Sequence, residues 1–132
     1  MPKAGPLIAI VDDDSSMREA IGGLVKSAGY VAASAASAEE FMGSRDVHGT
    51  SCLIADMQMP GMTGLELHQR LSAVGKGIPT ILITAYPDER VRGRALAQGV
   101  IGYLAKPFGE DDLLACIRSA LAPASGGRSD ER

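Results

Sequence analysis

The sequence predicts an α/β domain built on a doubly wound parallel β-sheet with helices on both faces. Five short apolar segments alternate with five segments of helical periodicity, and this alternation is typical of parallel sheets. The strand segments are continuous apolar runs, which indicates that they are buried on both faces. Right-handed crossover connections then limit the topology to a doubly wound sheet.

The first strand and helix are predicted from the start of the chain. Residues 7–11 form an apolar strand. A helix follows from about Ser16, with Ser16 and Glu19 as a capping box and Gly29 as its stop. The adjacent Gly22 and Gly23 weaken this helix by up to ~1 kcal/mol each, and tight packing against the sheet would account for them.

The other elements follow in the same alternation. Further strands are predicted over residues 30–34, 51–55, 79–84 and 100–105; further helices are a short one capped by Ser37 and Glu40, then 64–73, 88–98 and 111–121. We expect one folded domain over residues 6–121 and a flexible tail or start of a linker over 122–132, because that segment is small, polar and charged.

Composition limits the class of protein. The 132 residues are 45% hydrophobic, so a core can form without disulfides, and we expect Cys52 and Cys116 to be reduced, buried thiols. Residues 1–6 are too short for a signal peptide and no apolar run reaches the ~20 residues of a membrane span, so we expect a cytoplasmic protein that does not contact membranes. The net charge of -3 argues against direct nucleic-acid binding.

Reactive side chains lie at or just after the ends of four of the predicted strands. Asp12, Asp13 and Asp14 come after the first strand, Asp56 after the third and Lys106 after the fifth, while Thr84 is the last residue of the fourth. Because ligands bind beyond the carboxyl ends of the strands in doubly wound sheets, we expect these groups to lie close together. Asp14 is better explained as a helix N-terminal acid than as part of the site.

The residue types indicate a magnesium-dependent phosphoryl site. Two carboxylates such as those of Asp13 and Asp56, ~4 Å apart, would repel each other by about 4 kcal/mol at an effective dielectric near 20, so a cation or a proton must lie between them. Oxygen ligands suit Mg²⁺, and the lack of His or Cys argues against zinc or copper. Asp56 is the best nucleophile, while Lys106 and Thr84 could each contact a phosphoryl oxygen.

Four motifs together are similar to one known family. They are Asp12-Asp13, the DMQMPGMTG segment over 56–64, Thr84-Ala85 and the GYLAKPF segment over 102–108. In combination they resemble the receiver domain of two-component response regulators, in the CheY-like superfamily, with some likeness to the FixJ/NarL-like receivers that precede helix-turn-helix output domains. The resemblance covers about residues 6–121 and implies a flavodoxin-like strand order 2-1-3-4-5.

The resemblance implies a role for each site residue. Asp56 would be the phosphoacceptor, and Mg²⁺, for which Mn²⁺ could substitute, would bind Asp13, Asp56 and the Gln58 backbone carbonyl, with Asp12 acting largely through water. Lys106 would pair with the phosphoryl group, and its bond to Pro107 would be cis.

The resemblance also implies a switch and its partners. Thr84 would move toward the phosphoryl group and Tyr103 would turn inward, altering the surface formed by the predicted helix over 88–98, strand over 100–105 and helix over 111–121. The donor would be a phosphohistidine on a sensor histidine kinase or phosphotransfer protein. Gln58 and Tyr86 would tune slow autodephosphorylation, and bulky Tyr86 is expected to retard it; dimerisation on phosphorylation is a further hypothesis.

Other interpretations remain beside this one. An enzyme similar to haloacid-dehalogenase phosphatases would use Asp12 as nucleophile, but the chain lacks a late acidic pair and a cap domain, and Asp56 would have no role. A flavin-binding domain is disfavoured because three aspartates would repel its phosphate. We expect His48 in a loop, His68 at a solvent-facing helix edge, and the arginines 90, 92 and 94 on a solvated helix face.

Overall fold

A five-stranded, all-parallel sheet lies at the centre of the computed structural model, which describes residues 5–122. The strands are β1 (Leu7–Val11), β2 (Val31–Ala35), β3 (Thr50–Asp56), β4 (Thr80–Thr84) and β5 (Gly102–Ala105). Their order is β2-β1-β3-β4-β5, which confirms the predicted doubly wound, flavodoxin-like sheet. Residues 1–4 and all of the predicted tail except residue 122 lie outside the described residues.

The described residues contain six helices, one more than predicted. They are α1 (Ser15–Ser27), α2 (Ala38–Met42), α3 (Asp46–Gly49), α4 (Gly64–Ala73), α5 (Glu89–Ala97) and α6 (Glu110–Leu121). The additional helix, α3, is a single turn, which is too short to show helical periodicity in a sequence. Between residues 5 and 122, no helix has both the length and the apolar character needed to cross a bilayer.

Helix α1 begins differently from the prediction. Asp14, not Ser16, is its N-cap, and the Asp14 carboxylate accepts hydrogen bonds from the backbone N–H groups of Ser16 and Met17. The predicted capping box of Ser16 and Glu19 is therefore wrong, because Asp14, two residues earlier, caps the helix and places Ser16 inside its first turn. Gly29 ends the helix as predicted, with a φ of 96° just after the C-cap.

The glycine pair in α1 and the first glycine of α4 differ in how much space a side chain would have. A Cβ at Gly22 would meet only Ile10 Cδ1 at 3.9 Å, and one at Gly23 would meet nothing within 4 Å. Tight packing does not explain this pair; both glycines line an open cavity of about 430 Å³ beside β2. At Gly64, by contrast, a Cβ would lie 2.7 Å from the Asp56 carbonyl oxygen, so only glycine lets α4 begin this close to the end of β3.

The central strands β1, β3 and β4 are buried on both faces, as predicted, whereas the edge strands β2 and β5 are only partly buried. Alternate strand residues pack against α1 and α6 on one face, and against α2 to α5 on the other. Both cysteines are free: Cys52 is fully buried, whereas Cys116 is only partly buried. Burial, with a smaller contribution from Cys116, raises the pKa of Cys52 to about 12, so this thiol stays protonated at neutral pH.

His68 is buried, and its prediction as a solvent-facing residue was wrong. Its Nδ1 lies 3.0 Å from the Thr80 hydroxyl and its Nε2 lies 3.0 Å from the Gln98 carbonyl oxygen. The side chain thus joins α4 to β4 and to the C-cap of α5. A polar residue can occupy the inner face of a helix when both of its ring nitrogens find partners, and helical periodicity does not reveal such partners.

We expect His68→Ala to destabilise the protein by about 2–3 kcal/mol, because it leaves a cavity and removes the ring partners of Thr80 and the Gln98 carbonyl. Urea unfolding followed by circular dichroism would measure this change. The matched control is His48→Ala, since His48 is exposed and its ring contacts only Lys76 Nζ, at 3.2 Å, among the hydrogen bonds of the described residues; we expect a change within ~0.5 kcal/mol. Equal losses in the two variants would contradict the role given to His68.

Candidate functional site

Three carboxylates meet at the carboxyl edge of the sheet. Asp12 follows β1 and Asp56 is the last residue of β3; the two strands are paired so that Val11 lies beside Ala55. One carboxylate oxygen from each of Asp12, Asp13 and Asp56 lies within 4.8 Å of the others. Asp12 and Asp56 are buried while Asp13 is exposed, so the group opens to solvent on the Asp13 side.

Lys106 joins the acidic group from the end of β5. Its Nζ lies 3.2 Å from Asp56 Oδ2 and 3.4 Å from Asp12 Oδ2. Because β4 lies between β5 and β3, only a long side chain could reach these carboxylates. The Lys106–Pro107 peptide bond is cis, as the resemblance implied.

The charges at this edge do not balance. Burial raises the pKa of Asp12, and the Asp56 carboxylate raises it further, while the Asp14 N–H and Lys106 act in the opposite direction. Burial lowers the pKa of Lys106, but the carboxylates of Asp12 and Asp56 outweigh this effect and the pKa is raised overall. Lys106 is therefore a cation at neutral pH. One ammonium group faces three carboxylates, so the site favours a further cation.

Backbone groups orient the two buried carboxylates. The Asp14 N–H donates to Asp12 Oδ1 at 2.9 Å and the Gln58 N–H donates to Asp56 Oδ1 at 3.1 Å. In both residues the second oxygen, Oδ2, is left for Lys106. The Arg18 guanidinium donates to the Asp12 carbonyl oxygen at 2.7 Å, which ties α1 to the loop that carries these acids.

Thr84 lies at the end of β4, and its hydroxyl is engaged in the loop. The hydroxyl donates to Gln58 Oε1 at 2.9 Å and accepts from the Tyr86 N–H at 3.0 Å. The Ala85 N–H donates to the same Gln58 oxygen at 3.0 Å. From the sequence we expected a backbone role and a role in hydrolysis for Gln58, but not this side-chain contact. Nothing in the sequence signals a contact between side chains 26 residues apart.

The two tyrosines named from the sequence differ in burial. Tyr86 is 74% exposed. Tyr103, in β5, is half-buried and packs against the core that α4 and α5 cover. Its hydroxyl accepts a hydrogen bond from the Asp88 N–H at 3.2 Å. Asp88 is the N-cap of α5, so Tyr103 connects the fifth strand to the beginning of this helix.

The arginines of α5 lie outside the site, as predicted. Arg90, Arg92 and Arg94 are exposed, and Arg92 makes a surface ion pair with Glu89 at 3.9 Å. Arg92 and Glu89 therefore form an exposed ion pair that can be compared with the contacts of Lys106 to buried carboxylates.

Comparison with known proteins gives a consistent match. Residues 8–118 match the response regulator receiver domain family. The response regulator protein TmoT of Ectopseudomonas mendocina is 39% identical over 115 residues, which are 87% of this chain and 52% of TmoT. TodT of Pseudomonas putida is 35% identical over 130 residues, covering 98% of this chain and 57% of TodT. This chain thus spans little more than half the length of these relatives.

The fold is also similar to solved structures. The response regulator StyR matches with a TM-score of 0.82 and 42% identity, over 89% of this chain and 60% of that chain.

We expect Lys106→Met to destabilise the protein by ~2–4 kcal/mol in the presence of EDTA, because two buried carboxylates lose their shared cation. Urea unfolding at neutral pH would measure the loss. The control is Arg92→Met, which removes a cation from an exposed pair and should change stability by no more than ~0.5 kcal/mol. A Lys106→Met variant as stable as the parent would show that the Lys106 contacts do not offset carboxylate repulsion.

Proposed function

This chain belongs to the response regulator receiver family, a family of signalling switches that interact with histidine kinases, and from that premise we propose that Asp56 accepts a phosphoryl group from a phosphohistidine. The donor is a sensor histidine kinase or a histidine phosphotransfer protein. The observation that supports this most directly is the grouping of Asp12, Asp13 and Lys106 around the Asp56 carboxylate. We further propose that residues 6–121 form the receiver unit, in line with the family match over 8–118.

The proposed transfer uses groups already near Asp56. A carboxylate oxygen of Asp56 forms a bond to phosphorus, the P–N bond of the phosphohistidine breaks, and the imidazole leaves with the bonding electron pair and takes up a proton. Lys106, 3.2 Å from Asp56 Oδ2, neutralises part of the charge on the phosphoryl oxygens. The Thr84 hydroxyl donates a hydrogen bond to another phosphoryl oxygen once its bond to Gln58 has broken. Positioning and charge neutralisation of this kind dominate phosphoryl transfer.

The acidic group fits a divalent cation. All its ligand atoms are oxygens, and the three of them lie within 4.8 Å of one another. The negative charge of the three carboxylates is larger than the single positive charge of Lys106 can neutralise. We assign Mg²⁺ to Asp13, Asp56 and the Gln58 backbone carbonyl, with Asp12 acting largely through water; Mn²⁺ would substitute. When bound, the ion supplies charge neutralisation to a phosphoryl oxygen.

An apolar cleft beside the site suits a helical donor. A cavity of about 210 Å³ is lined mainly by apolar side chains of α1 and of the segment after Lys106, including Met17, Ile21, Leu24 and Phe108. A histidine-bearing helix could pack its apolar face here and present the phosphorylated ring to Asp56. The closeness of Phe108 to Lys106 in the chain supports this docking position.

The output surface is proposed to be α5, β5 and α6. The Tyr103 hydroxyl accepts a hydrogen bond from the Asp88 N–H at the start of α5. An inward turn of the tyrosine ring would break this bond between β5 and α5. Leu96 and Ile101 are exposed on this side, at 38% and 41%, and a second copy of the chain or an output partner could cover them. The relatives are longer proteins, so their outputs are not assigned to this chain.

The alternative with Asp12 as a phosphatase nucleophile has less support. The match is to receivers, and Asp56, which lies beside Asp12, Asp13 and Lys106, would have no role in such an enzyme.

We predict that the protein takes up one phosphoryl group on Asp56 from acetyl phosphate and Mg²⁺, because this carboxylate lies beside both Lys106 and the cation site. Intact mass and peptide mapping would locate the group. Asp56→Asn and EDTA should each reduce labelling to background. Asp46→Asn, which alters an exposed acid in α3, should label like the parent. Labelling on Asp12, or undiminished labelling of Asp56→Asn, would overturn the proposal.

We predict that Tyr86→Ala loses its phosphoryl group about fivefold faster than the parent, which corresponds to a barrier lower by ~1 kcal/mol. The Tyr86 N–H contacts the Thr84 hydroxyl, which places residue 86 beside the site, and we propose that its bulky side chain obstructs the attacking water. The decay of labelled protein after donor removal would measure the rate. Tyr86→Phe keeps the ring and should match the parent; equal or slower loss in Tyr86→Ala would exclude this role.

A further inference from the structure

The Gln58 side chain continues the pairing of β3 and β4 beyond the last backbone hydrogen bond. The Met57 N–H donates to the Ile83 carbonyl oxygen at 2.8 Å, just past the end of β3. The next donor on the β4 side, the Ala85 N–H, pairs instead with Gln58 Oε1 at 3.0 Å. The amide side chain therefore takes the place of a backbone carbonyl and fixes the start of the loop that leads to α5.

The same amide oxygen accepts a hydrogen bond from the Thr84 hydroxyl, at 2.9 Å. A hydroxyl has one donor, so Thr84 can donate to Gln58 or to a phosphoryl oxygen, but not to both. The lone pairs of this hydroxyl also accept the Tyr86 N–H. Residues 84–86 are thus held together by bonds that must change before the Thr84 hydroxyl can donate to a phosphoryl group.

We propose that Gln58 is a positioning residue that holds Thr84 and the β4–α5 loop in the unmodified conformation and so opposes switching. This inference rests on the proposed function, because the competing acceptor is the phosphoryl group on Asp56. The role belongs to the side-chain oxygen and is separate from the metal contact assigned to the Gln58 backbone carbonyl. Residue 58 therefore sets how readily the switch responds.

Side-chain length and chemistry favour glutamine for this role. Gln58 lies two residues after Asp56, beside the strand end that carries Thr84, because Asp56 pairs with Ile83 across β3 and β4. Its oxygen spans from the β3 side to two donors on the β4 side. Methionine has a similar length but is only a weak acceptor, so Gln58→Met removes the hydrogen bonds with little change in volume and retains the backbone carbonyl.

The first test is the affinity for beryllofluoride, a phosphoryl analogue, in the presence of Mg²⁺. We expect Gln58→Met to bind beryllofluoride about two- to tenfold more tightly than the parent, since a hydrogen bond of ordinary strength no longer has to break. Titration monitored by amide NMR signals of β5 would measure it. The matched control is Gln69→Met, because Gln69 is exposed on α4 and donates to Gln98 Oε1 far along the chain; its affinity should equal that of the parent.

A double-mutant cycle separates this role from a general effect on the site. In a Thr84→Val background, Gln58→Met should give a much smaller gain in affinity, because the competing hydroxyl is gone and only the Ala85 N–H contact is left to lose. A second measurement needs no phosphoryl analogue: hydrogen exchange of the Ala85 amide should become faster in Gln58→Met and remain unchanged in Gln69→Met.

The outcomes separate the two proposals. Equal or weaker binding by Gln58→Met, or a gain that is as large with Thr84→Val as without it, would overturn the role of Gln58 while the proposed function stands. A parent protein that binds no beryllofluoride would overturn the proposed function and, with it, any role of Gln58 in switching. Ala85 exchange would then still show whether the amide contact exists.

Discussion

Repulsion among the carboxylates of Asp12, Asp13 and Asp56 is the constraint on which the rest of this structure depends. Two such groups about 4 Å apart repel by roughly 4 kcal/mol at an effective dielectric near 20, and here three share one edge of the sheet. Lys106 offsets part of this cost from β5. The fold must hold the acids together against their charge, and it does so with strands buried on both faces and with backbone donors aimed at the carboxylates. A site stabilised in this way gains most from ligands that bring a cation with them.

In the unmodified protein, several hydrogen-bonding groups of the loop after β4 already have partners. Thr84 donates to Gln58, the Tyr86 N–H donates to Thr84, and the Asp88 N–H donates to Tyr103. A phosphoryl group on Asp56 would therefore exchange existing bonds for new ones, so the net change in free energy is smaller than the strength of the new bonds alone. Since a switch responds to the difference between its two states, residues that stabilise the unmodified loop matter as much as those that contact the phosphoryl group.

Sequence reasoning predicted the parts of the structure that depend on continuous patterns. The apolar runs gave the strands, and the residues that follow them placed Asp12, Asp56 and Lys106 at one edge. It failed where a single side chain makes a long-range contact or where two local choices compete. In the sequence, His68 is a polar residue at a predicted helix edge. Only the fold brings Thr80 and Gln98 beside its ring. Asp14 and Ser16 are both good helix caps, and only the structure distinguishes them. The Gln58 contact with Thr84 follows from strand pairing and rotamer, neither of which periodicity encodes.

The two sides of the site differ in how firmly they are held. On the α1 side, Arg18 bonds the Asp12 carbonyl oxygen and Asp14 caps the helix, so this surface is fixed by groups that do not contact the phosphoryl position. On the β4 side, the loop is held through Thr84 itself. The Lys106 N–H also donates to the Thr84 carbonyl oxygen at 2.7 Å, which keeps the ends of β4 and β5 in register while the Thr84 hydroxyl is free to change partners. Under the proposed function, a donor would dock against the α1 side, while the change in hydrogen bonding would be confined to the loop that leads to α5. The proposed docking surface and the proposed responding surface would then be separate, because they are held by different backbone and side-chain groups.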